Sequence, residues 1–272
     1  MDRRRFLQLG GVATASGATG LAAGSSRGHF GNNEVLAVTS HSGPDMAGWT
    51  TTVGDGLWTA PGEAAVTVAD LDAVHSGTET ELFANVTNRG VMAHNITYRR
   101  EQSPEMLSHV HACSWEFRTP YVPATNSWPN NAQTLEGGIF VWDGADTRLD
   151  YGIAFQWVLN PWLSSSGDLR TWTDTGGGQW TTAGHLTPDT DWHLAEFIVD
   201  VPNQSCAMRI DDTPIPTAFT LTPKPSYWGP EIAARLGIEI ISLWPGSNPM
   251  PPSHRAQFRN WSWLQSPSVS CQ

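Results

Sequence analysis

The sequence predicts an all-β protein built as two stacked antiparallel sheets, on three observations. Strand-like runs recur along the whole chain, separated by Pro, Gly, Asn and Asp, the residues that stop strands and shape turns. Helical patterning is nearly absent, confined to Glu63 to Val74 and a short turn at Pro230 to Arg235. The best-formed runs alternate apolar and polar residues with a period of two, which sends successive side chains to opposite faces of a strand. No segment repeats at a fixed period.

In chain order, His94 to Arg100 reads as a strand with Asn95 and Arg99 on one face and His94 and Tyr98 on the other. His109 to Glu116 is a second strand. In the third, Leu135, Gly137, Ile139 and Val141 alternate with Glu136, Gly138, Phe140 and Trp142. Asp143-Gly144 then makes a turn, and a hairpin is expected with Leu149 to Asn160. There Leu149, Tyr151, Ile153, Phe155, Trp157 and Leu159 form the core face. Gly152, Ala154, Gln156, Val158 and Asn160 form a small, polar face suited to the floor of a cleft. Trp192 to Asp200, a turn at Pro202-Asn203-Gln204, and Cys206 to Asp211 make another hairpin. In Arg235 to Ser242, Leu236, Ile238 and Ile240 alternate with Arg235, Gly237 and Glu239.

The Trp192-His193 pair that opens one strand, the Asp200 that closes it, and the Asp211 that precedes the next turn resemble the laminin-G-like and concanavalin A-like jelly-roll sandwiches. The resemblance implies one convex and one concave sheet, with ligand on the concave face or at the rim. Many activities share such a fold, so function has to come from the site.

At the N-terminus, Arg3-Arg4-Arg5-Phe6-Leu7-Gln8, a weakly apolar run from Leu9 to Ala23 and the small residues Ala22-Ala23-Gly24-Ser25 resemble a twin-arginine export signal with its cleavage site. The resemblance implies a protein that is exported after folding and is secreted. The run is too short and Gly-rich for a permanent membrane anchor. The expected plan is a signal peptide at 1–24, a flexible segment at 25–45, one β-sandwich domain at 46–266 and a tail at 267–272, in a monomer.

The chain has 272 residues and a net charge of −11, which falls to about −13 without the expected signal. An acidic surface argues against nucleic acid and anionic membranes as partners. The compositional outlier is the 14 Trp. Trp combines a large apolar face with an N–H, and Trp beside amides and hydroxyls can stack on sugar rings. Trp128 and Trp180 sit in such loop-like stretches, and Trp142 and Asn160 join them as candidate substrate-binding residues. The three cysteines, Cys113, Cys206 and Cys271, form no Cys-x-x-Cys pattern, and the sequence leaves their pairing open. A Cys206–Cys271 bridge would tie the tail to a strand.

Three chemistries are legible. Hydrolysis of a glycosidic bond needs two carboxylates, and Glu116, Glu136 and Glu239 lie on three different strands. The Glu-x-Asp-x-Glu strand of one hydrolase family with this fold is absent. Elimination from a uronate needs a Tyr or His base and an Arg, Asn or Gln to hold the carboxylate. Tyr98, Asn95, Arg99, Arg118 and Gln156 are candidates. The third is His109-Val110-His111, two imidazoles on one face of a strand, which resembles the first metal motif of the cupins but lacks its glycines and its second motif. Asp70 and Asp72 are candidates for a structural Ca2+ without a supporting loop spacing. No cofactor is required for the first two chemistries. The expectation is a secreted protein that binds and cleaves a polysaccharide by hydrolysis or β-elimination. Its cleft would be floored by Glu136, Trp142, Gln156 and Glu239, with Glu116 and Arg118 nearby. A non-catalytic, lectin-like module and a His109/His111 metalloenzyme are the alternatives.

Overall fold

A computed structural model describes residues 38–53, 71–85, 93–122, 132–142, 151–161, 163–173, 179–217, 232–243 and 253–267. All belong to the compact unit Val38–Gln272. The strands in chain order are β1 (Thr39–Gly43), β2 (Thr50–Val53), β3 (Leu71–His75), β4 (Thr80–Asn85), β5 (Ala93–Gln102), β6 (His109–Arg118), β7 (Ala132–Trp142) and β8 (Tyr151–Val158). They continue as β9 (Asp168–Thr173), β10 (Gln179–His185), β11 (His193–Asp200), β12 (Ser205–Ile210), β13 (Thr213–Ile215), β14 (Ala233–Leu243) and β15 (Ser253–Pro267). A 3₁₀ turn at Pro104–Ser108, capped by the Ser103 hydroxyl accepting from Glu105 N, leads into β6.

Two antiparallel sheets result. The first runs β13-β12-β11-β6-β15-β4-β3, with β1 also on β15; the second runs β10-β9-β8-β7-β14-β5-β2. β15 is long enough for its free side to hold β4 along one half and β1 along the other. A bulge at Asn260, whose φ is 53°, separates the two halves.

The alternation seen in the sequence decides which residues meet between the sheets. Trp115, Phe117 and Phe197 from the first sheet and Phe155 and Trp157 from the second are buried together. Trp115 stacks on Phe197 with ring centroids 4.7 Å apart, and Phe117 meets Phe155 at 5.2 Å. Gly137 makes room for this layer: a Cβ there would lie 2.5 Å from the Trp115 ring.

Three local expectations change. Leu71 to Val74, the end of the expected helix, belong to the strand β3, because pairing with β4 and burial of Leu71 outweigh a weak helical pattern; residues 63–70 lie outside the described part. Ala233 to Arg235, expected as a turn, opens β14. Thr39–Gly43, within the stretch expected to be flexible, is tied to Trp261–Gln265 of β15.

The hairpin behind the fold resemblance is held by its own side chains. The two ring nitrogens of His193 contact Asp211 Oδ2 at 2.5 Å and Asp189 Oδ1 at 3.0 Å, and Leu194 N donates to Asp211 Oδ1. Asp211 and Asp212, both at positive φ, make the tight turn into β13. Cys113 and Cys206 are free thiols, and burial pushes the Cys113 thiol well above its ordinary range. Cys271 lies outside the described residues.

Gly137→Ala tests the inter-sheet layer. The added methyl has to displace a fully buried Trp115, so unfolding in urea should show a loss of about 1–3 kcal/mol. An unchanged midpoint would mean that Trp115 moves freely.

Candidate functional site

The register of the second sheet draws polar side chains from separate parts of the chain into one row on its outer face. Leu135, Ile139 and Val141 of β7 enter the core, so Thr134, Glu136, Gly138 and Phe140 face out. Glu136 pairs with Gln156 of β8 on one side and Glu239 of β14 on the other. Gln156 pairs in turn with Arg170 of β9, and Arg170 with Thr182 of β10. Beyond Glu239 come Ile96 of β5 and Thr52 of β2.

These partners are in contact. Gln156 Nε2 donates to Glu136 Oε1 at 2.5 Å, and Thr134 Oγ1 donates to the same oxygen at 3.3 Å. Arg170 Nη1 donates to Gln156 Oε1 at 3.3 Å. Glu136 and Gln156 are 7% and 8% exposed, so this carboxylate is buried. Glu239 is half-buried. Directly opposed residues have Cβ atoms about 4.5–5.5 Å apart, and two like charges so placed repel. The donors on Glu136 offset part of that cost.

The adjacent row has a different character. Gly138 pairs with Gly237, and Gly237 with Tyr98. Ala154, two residues from Gln156 along β8, continues the small floor. At the β9 end Trp172 pairs with Trp180 of β10, their rings edge-on at 5.4 Å. At the β5 end Arg235 lies over the Tyr98 ring, 5.2 Å from its centroid. A strip of small residues therefore lies between two aromatic ends, beside the carboxylate pair. From β9 to β5 is four strand spacings, about 19 Å, which suits an extended ligand.

A buried polar chain supports β7 from the inner side. His254, fully buried on β15, donates from Nε2 to the Thr134 carbonyl at 2.7 Å. Its Nδ1 is thereby an acceptor and lies 2.9 Å from Tyr121 Oη. Tyr121 Oη is also 3.0 Å from Gln133 Oε1. One hydroxyl proton cannot serve two acceptors. The Gln133 amide is satisfied when its Nε2, otherwise without a partner, turns to the phenol oxygen. Burial lowers the pKa of His254 to about 4, opposed by its bond to Thr134.

Glu136, Gln156 and Glu239 are thus brought together as one row. Glu116 and Arg118 do not join them: both project from β6 on the outer face of the first sheet, because the alternating His111, Cys113, Trp115 and Phe117 take the core side. Glu116 binds Arg259 and Asn260, and Arg118 donates to Gln257. Arg118 and Arg259 each lie over Trp192, 4.4 and 4.0 Å from the ring centroid. Asn160 is fully buried just past the end of β8. Trp180 is half-buried on the outer face. Trp128 and the side chain of Trp142 lie outside the described residues, as does Asp70. Asp72 is exposed, its carboxylate accepting from Ala73 N. Asn95 turns inward, donating to the carbonyls of Asp72 and Phe83 across the sandwich. Arg99 pairs with Glu101 and contacts His41.

His109 and His111 also face inward. His111 Nε2 donates to the Met106 carbonyl at 2.9 Å and Nδ1 accepts from Trp263 Nε1 at 3.3 Å, so both its nitrogens are engaged by protein. Burial lowers its pKa to about 4, opposed by the Met106 bond, with a smaller lowering from His109. Among the described residues, no three His, Cys, Asp or Glu side chains gather as a metal-binding group.

Arg170, Trp172 and Thr134 were not singled out from the sequence. The signal was the alternation in Asp168–Thr173, where Leu169 and Thr171 are buried and Arg170 and Trp172 share the other face. Nothing local marks Tyr121 and His254 as partners, since they are 133 residues apart.

No protein-family model matches the chain, and no curated protein matches it. Among solved structures it is similar to the basic winged bean lectin with Tn-antigen, with a TM-score of 0.52 and 9% identity over 86% of this chain and 100% of that one. It is similar to the winged bean acidic lectin complexed with methyl-α-D-galactose, with a TM-score of 0.50 and 9% identity over the same shares. A sialidase is matched over 79% of this chain, which spans 17% of that chain's length, with a TM-score of 0.43 and 8% identity. At these identities the likeness is one of fold: this is a concanavalin A-like sandwich.

The buried imidazoles make stability depend on pH. Unfolded His protonates near 6.5, whereas His111 and His254 stay neutral in the fold down to about 4. Between those values the unfolded chain binds more protons, so stability is full above pH 6.5 and falls as pH drops toward 4. Urea midpoints across this window should decline, and His254→Gln should flatten the decline; an equal slope in the variant would remove His254 from the account.

Proposed function

We propose that this protein binds a neutral polysaccharide along the outer face of the second sheet and hydrolyses it with Glu136 and Glu239. The observation that carries the proposal is the cross-strand pairing of these two carboxylates beside a floor of Gly138, Gly237 and Ala154. Trp172 and Trp180 at one end and Tyr98 at the other offer ring faces and edges to sugar units. Glycoside hydrolysis in its retaining form uses two carboxyl groups about 5–5.5 Å apart, a spacing compatible with directly opposed strand residues.

The hydrogen bonds on Glu136 support its role. Gln156 and Thr134 both donate to Glu136, which favours its charged form. Glu136 is therefore the nucleophile: its oxygen bonds the anomeric carbon as the glycosidic C–O bond breaks. Glu239 gives its proton to the departing oxygen. Water then cleaves the glycosyl-Glu136 ester, with Glu239 taking a proton from that water and returning to its starting state. Elimination is less well supported, because two carboxylates in the floor repel the uronate carboxylate that elimination must stabilise. The twin-arginine resemblance of residues 1–24 supports an extracytoplasmic site of action.

Purified protein incubated with neutral and uronic-acid polysaccharides should release reducing ends from a neutral one, without the ultraviolet absorbance of an unsaturated uronate. Glu136→Gln and Glu239→Gln should each lower turnover by about 10²-fold or more while leaving polysaccharide binding in place. Binding without turnover in the unaltered protein would make the same face that of a lectin-like module.

A further inference from the structure

The geometry points to Arg170 as a positioning residue that sets the orientation of the Gln156 amide and, through it, the charge state of Glu136. The assignment rests on the hydrolytic role proposed for Glu136. A primary amide has a donating end and an accepting end of nearly equal size, so its neighbours decide which way it points. Gln156 has one neighbour of each kind. The Arg170 guanidinium can only donate, and it engages Oε1 at 3.3 Å. A charged Glu136 carboxylate can only accept, and it takes Nε2 at 2.5 Å. Reversal of the amide would aim Oε1 at the carboxylate and the NH2 group at the guanidinium, two repulsive contacts in place of two attractive ones. Without Arg170 only one of those penalties remains, and the orientation that stabilises the negative charge on Glu136 is less favoured.

The placement of Arg170 supports this reading. It stands two strands from Glu136 in the same cross-sheet row, so it reaches the carboxylate through Gln156. Two residues along β9 is Trp172, whose ring meets Trp180, so the aromatic end of the face and the Arg170 guanidinium share one short strand. The other charged groups on this face of the flanking strands, among the described residues, are Glu239 and Arg235 on β14, Arg100 on β5 and Asp168 on β9. Asp168 accepts from Thr182 Oγ1 at 3.0 Å. Arg170 is the donor on Gln156 Oε1.

The test is a double-mutant cycle read on the Glu136 carboxyl itself, by carbon NMR of the side-chain carboxyl through a pH titration. Arg170→Met keeps the aliphatic stem that covers the sheet, and Gln156→Met removes the amide. Arg170→Met should raise the Glu136 midpoint by about one pH unit in the unaltered background, through loss of a donor to the charged form. In the Gln156→Met background it should produce no further shift. Equal shifts in both backgrounds would mean that Arg170 acts through space as a charge; no shift in either would mean that something else holds the amide. Both results overturn the proposal. Arg170→Lys, which restores a donor, should recover part of the shift and show that the effect is not one of folding.

Kinetics then separate the two levels. If the hydrolytic role is right, Arg170→Met lowers kcat by about one to two orders of magnitude with KM little changed. A titration that behaves as expected, in a protein that releases no reducing ends from any polysaccharide, would leave the orienting role of Arg170 intact and remove the hydrolytic one.

Discussion

The aromatic layer between the two sheets is the constraint on which the rest depends. Trp115, Phe117 and Phe197 from one sheet and Phe155 and Trp157 from the other bury large apolar surfaces that have no alternative place in water. Because a strand sends neighbours to opposite faces, committing Phe155 and Trp157 to the core commits Gln156 to the outside. Committing Leu135 and Ile139 does the same for Glu136, and Ile238 and Ile240 for Glu239. A one-residue slip of any of these strands would reverse its faces and put a carboxylate or an amide into the aromatic layer. The energy that holds the sandwich together therefore also presents the polar row.

Asn95, His254 and His111 inside the sandwich follow the complementary rule, that burial is tolerated where partners exist. Asn95 donates to two carbonyls of the opposite sheet, and His254 from the first sheet donates to Thr134 in the second. His111 is anchored to the Met106 carbonyl and Trp263. The Asn95 and His254 bonds fasten sheet to sheet at defined points. The His254 bond falls at the residue whose hydroxyl reaches Glu136, so the inner polar chain and the outer row share one residue of β7. The histidine pair of β6 faces this inner scaffold, where protein groups engage both nitrogens of His111.

The two outer faces of the sandwich differ in the use they make of charge. On the first sheet, Glu116 meets Arg259 and Asn260, Arg118 meets Gln257, and Trp192 lies against both guanidinium groups. Glu116, Arg118 and Arg259 thus each have a partner of opposite sign or a ring face, an arrangement that covers a sheet. On the second sheet, two carboxylates oppose each other and the nearby floor is made of residues with little or no side chain. Paired like charges and glycine in the middle of strands add nothing to a sheet's stability; at Gly138 the close approach of β8 demands the glycine, because a Cβ there would collide with the Ile153 carbonyl.

Sequence alone determined the class of fold and the facing of the strands, because alternation is a local property written residue by residue along Leu135 to Trp142, Leu149 to Asn160 and Arg235 to Ser242. Facing was enough to place Glu136, Gln156 and Glu239 outside a core. It could not tell one sheet from the other, so Glu116 and Arg118, equally well alternated on β6, could be read into the same cleft although they stand on the far side of the sandwich. Which strands neighbour each other is decided by pairings between segments far apart in the chain: β7 with β14, β6 with β15, β5 with β14. The β7–β14 pairing puts Glu239 opposite Glu136, the β8–β9 pairing puts Arg170 beside Gln156, and the packing of one sheet on the other puts His254 beneath Thr134. Each is a contact between residues with no shared local pattern, and only the folded sheets, by closing their hydrogen-bond ladders in one register, bring them together.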